Sequence, residues 1–161
     1  RTPPDFVNAA TVKALGGISQ TISFTELPMA LKQGVVDGQE NPIATILTNK
    51  MYETQKYLSV VNYTYNATHL LMNKAKFDKM SDMQQKVLIE EAVKAGKALQ
   101  KIVREQEALQ IKELEKNGMQ VAFPDTKPFI QAAAPVYEEL KIQVGEADYK
   151  YFMDLLEKSR K

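Results

Sequence analysis

His69 is the only histidine among the 161 residues, and there is no cysteine. Disulfides, thiolate chemistry and cysteine-based zinc sites are therefore excluded. A Ser-His-Asp relay or a histidine-rich metal centre is poorly supplied. The side chains left for chemistry are carboxylates, amides and guanidinium groups. Asp37 and Glu40 stand three apart around an Asp37-Gly38 turn, a spacing open to acid–base work but far commoner as capping or hydration groups. Taken alone, Arg1 reads as a solvated chain end, and Asn41 before Pro42 as a helix N-cap with proline at the first helical position. Phe24 reads as core behind a short strand. His69, between Thr68 and Leu70-Leu71, reads as a packed or hydrogen-bonded histidine on a strand. These residue types favour binding over catalysis and imply neither a metal nor a cofactor.

Composition narrows the partners. Hydrophobic residues make up 44% and charged residues 25%, as in an ordinary globular chain. With a net charge of +1 and no Lys/Arg block, the chain lacks the basic stripe of a nucleic-acid binder. No apolar run is long enough to span a bilayer. No signal-peptide pattern opens the sequence, but a chain starting at Arg1 gives no argument for the cytoplasm on that ground.

The elements that must position these residues can be read from punctuation and periodicity. Asp5 to Leu15 is a short helix stopped by Gly16-Gly17, and Ile18 to Ile22 a short strand. Ser23 to Glu26 has the S-x-x-E capping-box form, ahead of a helix with Leu27, Ala30 and Leu31 that closes at Gly34. Val35-Val36 is a very short extended piece; a helix from Ile43 to about Tyr52 follows, with Ile46, Leu47 and Met51 on one side. Tyr57 to Met72 reads as two strands around Tyr63 to Asn66.

Ser81 to Gln84 forms a second capping box, and neither proline nor a glycine pair interrupts the chain before Gly118. One helix of about 36 residues, roughly 54 Å long, is predicted. Its apolar stripe runs Leu88, Ala92, Ala95, Leu99, Ile102, breaks at Glu105-Gln106-Glu107, and resumes rotated at Leu109, Ile111 and Leu114. A coiled coil would sustain its heptads, so the shift points to a helix that packs on two bodies with different faces. Met119 to Phe123 is a strand, and Asp125 caps a short helix from Thr126 that Pro135 interrupts before Val136 to Val144. The last helix runs from Glu146 to about Lys158 with Tyr149, Phe152 and Leu156 on one face. The class is α/β and helix-rich, with too few strands for a self-sufficient sheet.

The run from Leu31 through Val35-Val36-Asp37-Gly38-Gln39-Glu40-Asn41-Pro42, with Tyr52 to Leu58, closely resembles the signature stretch of DctP-type solute-binding proteins. These are the extracytoplasmic subunits of tripartite ATP-independent periplasmic (TRAP) transporters. Arg1-Thr2-Pro3 resembles the family's arginine strand, and the likeness continues through Asn117-Gly118, Phe123-Pro124 and the terminal helices. It implies the C-terminal part of a two-lobed, periplasmic-binding-protein-like fold with a long lobe-spanning helix. Residues 1–66 and 107–161 would form the second lobe, and 67–106 would pack on a first lobe absent from this chain.

The resemblance gives three residues binding roles. Arg1 would hold a ligand carboxylate in a bidentate fork, Asn41 would donate to the same carboxylate beside the helix start at Pro42, and Phe24 would pack on the ligand skeleton. Asp37 and Glu40 stay structural on this reading. Pro4 and Asp5 depart from sialate-binding relatives, and Asp5 would favour a hydroxylated or cationic substituent.

The implied function is capture of a small organic acid, a sialate, C4-dicarboxylate or sugar acid, and delivery to the TRAP membrane permease, with no catalysis. The implied location is the periplasm, or outside the membrane on a tether in a Gram-positive host. By itself this chain is expected to self-associate through its uncovered 67–106 side. The competing reading is a helical protein–protein interaction module built on Asp82 to Asn117, without a small-molecule ligand.

Overall fold

A computed structural model describes residues 1–65 and 67–159. Its longest element grows from a cap that forms as the sequence requires. The Ser81 amide donates to Gln84 Oε1 at 2.9 Å and the Gln84 amide to Ser81 Oγ at 3.4 Å, satisfying free amides at both ends of the first turn. The helix runs Asp82–Lys116 and ends at Gly118 with φ +94°. In chain order the helices are α1 (Phe6–Ala14), α2 (Leu27–Lys32), α3 (Ile43–Thr48), α4 (Lys74–Phe77), this long α5, α6 (Lys127–Ala132), α7 (Ala134–Val144) and α8 (Glu146–Ser159). Two strands complete the set among the described residues, β1 (Tyr57–Ser59) and β2 (Gln120–Ala122), and a 3-10 turn spans Met51–Glu53.

The strands pair in parallel, Tyr57 with Gln120, Leu58 with Val121 and Ser59 with Ala122, so α5 lies in the crossover between them. Under this ribbon sits one small core. Leu27 and Leu31 of α2, Ile46 of α3, Met51 of the 3-10 turn, Leu114 of α5 and Met119 are all buried in contact. Leu58 and Val121 cover the cluster from the ribbon. A second contact joins α1 to α7, with Thr2, Asn8 and Thr11 as buried polar residues nearby, and α8 lies against α7.

Several expectations need correction. The Ser23 to Glu26 box does not cap α2: Ser23 Oγ donates to the Glu26 carboxylate at 2.9 Å, so the two side chains consume each other. Ile18 to Ile22 is no strand, only one bridge from Thr21 to Thr2, because Pro3 and Pro4 lack the amides a longer ladder needs. Val35-Val36 lies in a bend, although Val36 is buried. The helix after Pro42 ends at Thr48, where Thr48 Oγ1 and Asn49 Nδ2 bond back to the Ala44 and Thr45 carbonyls and Lys50 turns left-handed at φ +52°. Of the two strands proposed in Tyr57 to Met72, only β1 forms; Leu70 and Leu71 are 77% and 86% exposed and pair with nothing among the described residues. Asn66 lies outside the described residues. His69 is exposed and on no strand.

The faces of the long helices also differ in detail. On α5 the covered positions near its end are Glu107, Gln110, Ile111 and Leu114, an i, i+3, i+4, i+7 face from which Leu109 points away. On α8 they are Tyr149, Met153 and Leu156, with Phe152 exposed. Between Asp82 and Gln106 almost every position of α5 is exposed, Val87, Ile89, Val93, Leu99 and Val103 included. The accessible surface is 12375 Å², against about 8,100 Å² for a compact monomer of this mass. The chain therefore leaves a large apolar surface uncovered.

Candidate functional site

Arg1 is not a loose end. The extended start is fixed at Thr2, which is fully buried, bonds to Ser19 Oγ at 2.7 Å through its hydroxyl, and donates its amide to Gln20 O at 3.0 Å. This anchoring leaves Arg1 half-buried with its backbone nitrogen donating to Gly38 O at 2.7 Å. Its Nε donates to Ile22 O at 2.9 Å, and the guanidinium lies 5.9 Å from the centroid of the Phe24 ring. The two terminal nitrogens make no hydrogen bond or ion pair with the described residues. The structure thus brings Arg1 and Phe24 together directly, and joins both to the Gly38 segment that leads into Asn41.

Asn41 does not cap the next helix. Pro42 occupies the cap position with ψ 147° and no side-chain cap bond exists, because α3 starts one residue later than the Asn-Pro pattern suggests. The Asn41 amide instead donates to Gln39 Oε1. Asn41 lies half-buried on the wall of an open groove of about 730 Å³. One side of this groove is the Asp37–Ala44 segment; another is the β1 exit as far as Thr64; the third is α5, through Ile102, Gln106 and Gln110. A smaller groove of about 460 Å³ adjoins it and contains Arg1. Asp37 to Glu40 line both, so Arg1 and Asn41 flank one shared ridge without touching.

The ridge and its neighbours supply functional candidates that sequence reading missed. Glu40, read as structural, is half-buried at the junction of the two grooves. Tyr63, read as opening the break between two strands, follows Asn62, whose left-handed φ of +53° ends the alternation after β1, and lies on the groove wall. Burial, then the negative charge of the Glu40 carboxylate, push the Tyr63 phenol well above its ordinary range. An asparagine before an aromatic was the available signal. Gln106 lies inside the polar triplet where the α5 stripe breaks, so that break presents amides to the groove. Asp5 is committed elsewhere: it caps α1, accepting from the Asn8 amide at 2.9 Å and Asn8 Nδ2 at 2.7 Å, and lines neither groove.

The two grooves present the Arg1 side chain, side-chain amides, carboxylates and phenols, with the Phe24 ring near the guanidinium. No cluster of metal-ligating residues occurs among the described residues, and none of the described helices is long and apolar enough to cross a membrane.

Comparison with known proteins gives a consistent picture. Residues 1–143 match the family described as bacterial extracellular solute-binding protein, family 7. The chain is 33% identical over 146 residues to the sialic acid-binding periplasmic protein SiaP of Vibrio cholerae, covering 91% of this chain and 46% of that protein. It is 32% identical over 133 residues to the 2,3-diketo-L-gulonate-binding periplasmic protein YiaO of Escherichia coli, covering 82% and 40% respectively. Among solved structures, a TRAP periplasmic solute-binding protein from Polaromonas sp. JS666 bound to D-erythronate superposes with a TM-score of 0.84 at 36% identity, over 93% of this chain and 50% of that one. The chain spans about half the length of the relatives it matches.

Proposed function

Because the chain belongs to the bacterial extracellular solute-binding protein family 7, the DctP family, we propose that it is the second half of a periplasmic TRAP solute-binding protein. That protein captures a small organic acid by its carboxylate and delivers it to the membrane permease. The observation that carries this reading is Arg1, held at Nε and near the Phe24 ring at a groove lip, while both terminal nitrogens stay unpaired among the described residues. A planar guanidinium with two parallel donors available matches a carboxylate edge. On this reading Asn41, on the wall of the adjoining groove, donates to the same ligand once the lobes close, and Phe24, which lines neither groove but lies near the guanidinium, packs on its carbon skeleton.

On this reading residues 1–66 and 107–161 form the second lobe and 67–106 pack against the first. The support is the burial pattern: α5 is covered from Glu107 onward and exposed before it, and the stretch after Val60 has no strand partner among the described residues. Ligand closes the lobes because it binds the closed arrangement more tightly. No covalent step is assigned to any residue. Those exposed faces of α5 would also serve a helical interaction module, which predicts affinity for a protein and indifference to acids.

Thermal shift of the full-length polypeptide carrying these residues separates the two. N-acetylneuraminate, 2,3-diketo-L-gulonate, D-erythronate and succinate are the panel, and at least one is expected to raise the melting temperature by several degrees. Arg1→Lys keeps the charge but removes the fork, and is expected to weaken that acid about tenfold or more, the loss of one charge-assisted hydrogen bond. A flat response to all four acids, or an Arg1→Lys protein that binds as well as wild type, sinks the proposal.

A further inference from the structure

Thr64 is half-buried on the wall of the larger groove, the wall that Asn41 also lines, yet it is tied to a residue that lines neither groove. Its Oγ1 donates to Asn8 Oδ1 at 3.4 Å, across 56 positions of sequence. Asn8 is buried, 8% exposed, in the first turn of α1. Its Nδ2 donates to Asp5 Oδ2 at 2.7 Å, and its backbone amide to Asp5 Oδ1 at 2.9 Å. Asp5, Asn8 and Thr64 thus form one relay, and its polarity is dictated from the Asp5 end. A carboxylate only accepts, so the Asn8 amide must turn its nitrogen to Asp5 and its carbonyl to Thr64. That carbonyl also only accepts, so the Thr64 hydroxyl must spend its single proton there. What the hydroxyl keeps for the groove is lone pairs.

We propose that Thr64 is a specificity residue of the groove: it accepts a hydrogen bond from a donor on the ligand, a hydroxyl or an ammonium, while Asn8 is the positioning residue that fixes it as an acceptor. The inference rests on the organic-acid reading above and adds a requirement to it. An acid gripped at its carboxylate is selected a second time by a donor elsewhere on its skeleton. A second bare carboxylate set against Thr64 meets an oxygen with no proton to give, which disfavours it. Asp5 lines neither groove, so its preference for a hydroxylated or cationic substituent is delivered through Asn8 and not by contact.

The test uses the full-length polypeptide and calorimetry with D-erythronate, 4-aminobutyrate and butyrate, four-carbon acids that carry hydroxyls, an ammonium and no further donor. Wild type is expected to prefer D-erythronate or 4-aminobutyrate to butyrate by at least about tenfold, the effect of one satisfied hydrogen bond, and the preferred acid names the donor. Butyrate that binds as tightly as both, or no binding of either donor-bearing acid, overturns the inference. Thr64→Val keeps the branched shape without the hydroxyl and is expected to lower that preference about tenfold. Thr64→Ser, which restores the hydroxyl, should recover it. A preference unchanged in Thr64→Val overturns the inference. Asn8→Ala is expected to lower the preference about threefold, since the staggered settings of the hydroxyl are then all open, and to add nothing beside Thr64→Val. An Asn8 that serves the fold alone would weaken all the acids alike in both backgrounds, and that result sinks the relay. A ligand-free crystal structure needs no acid: Thr64 Oγ1 out of hydrogen-bonding reach of Asn8 Oδ1 overturns the inference and leaves carboxylate capture standing. Failure of the functional reading shows separately, as Arg1→Lys protein with unchanged affinity.

Discussion

Three anchors decide where the Arg1 guanidinium points: the buried Thr2 hydroxyl on Ser19, the Thr2 amide on Gln20, and Nε on Ile22. The entropy of ordering a long side chain is thus met before the acid proposed to bind there arrives. Tyr63 offers a residue-scale prediction that needs no ligand. Its phenol is raised above the ordinary value of 10.0 by burial first and by Glu40 second. The sign follows from linkage: the neutral phenol is favoured in the fold, so its contribution is complete below the unfolded value and is lost as pH climbs past it. At 39% exposure that contribution is small in energy, but it is visible in a titration. Of the seven tyrosines, Tyr63 is expected to ionise last in ultraviolet difference absorbance. Tyr63→Phe should remove that late phase and leave the earlier ones unchanged. A variant that loses an early phase contradicts the placement of Tyr63 beside Glu40.

At the scale of elements, α5 divides into a covered end and an uncovered length. Leu114 is 0% exposed in the centre of the core, and Leu114→Ala is expected to cost about 2–5 kcal/mol in denaturant unfolding. Leu99 is 47% exposed, so in the 161-residue chain Leu99→Ala should stay within about 0.5 kcal/mol. In the full-length polypeptide the same change should cost clearly more, because there the proposed first lobe covers it; equal small costs in both would argue against that cover. This division also explains what could be read from the sequence. The Ser81–Gln84 box, the uninterrupted run to Gly118 and the stripe break near Glu105 are local patterns, and local physics determines them. Strands are different, since a strand exists only where a partner presents its amides and carbonyls. Ile18 to Ile22 and the stretch after β1 have suitable residues but no adequate partner among the described residues. The Asn41 cap went astray for a related reason. Whether an Asn-Pro pair caps a helix, or an acid in a turn faces a groove, depends on a shift of one residue that only the packed backbone sets.

For the whole molecule the uncovered surface is the governing quantity. The excess over a compact monomer is about 4,300 Å², against about 1,200–2,000 Å² buried in a standard stable interface. Exposed Val87, Val93, Leu99 and Ile102 on α5, with Tyr151 and Phe152 on α8, make much of that excess apolar. A chain in this condition lowers its free energy by covering itself with whatever is available. In the full-length protein we expect that cover to be the preceding half, and in isolation a second copy. Sedimentation of the isolated 161 residues is therefore expected to show association that strengthens with concentration, and a separately expressed first half should convert it to a one-to-one complex. The same isolated chain should bind D-erythronate at least about 100-fold more weakly than the full-length protein, since half of the enclosing contacts are gone. A monomer that stays dispersed at about 100 μM, well above the dissociation constant expected of so large an apolar interface, would show that these faces need no cover. The division of α5 between two bodies would then have lost its physical ground, and the groove beside Arg1 would have to be regarded as complete within this chain.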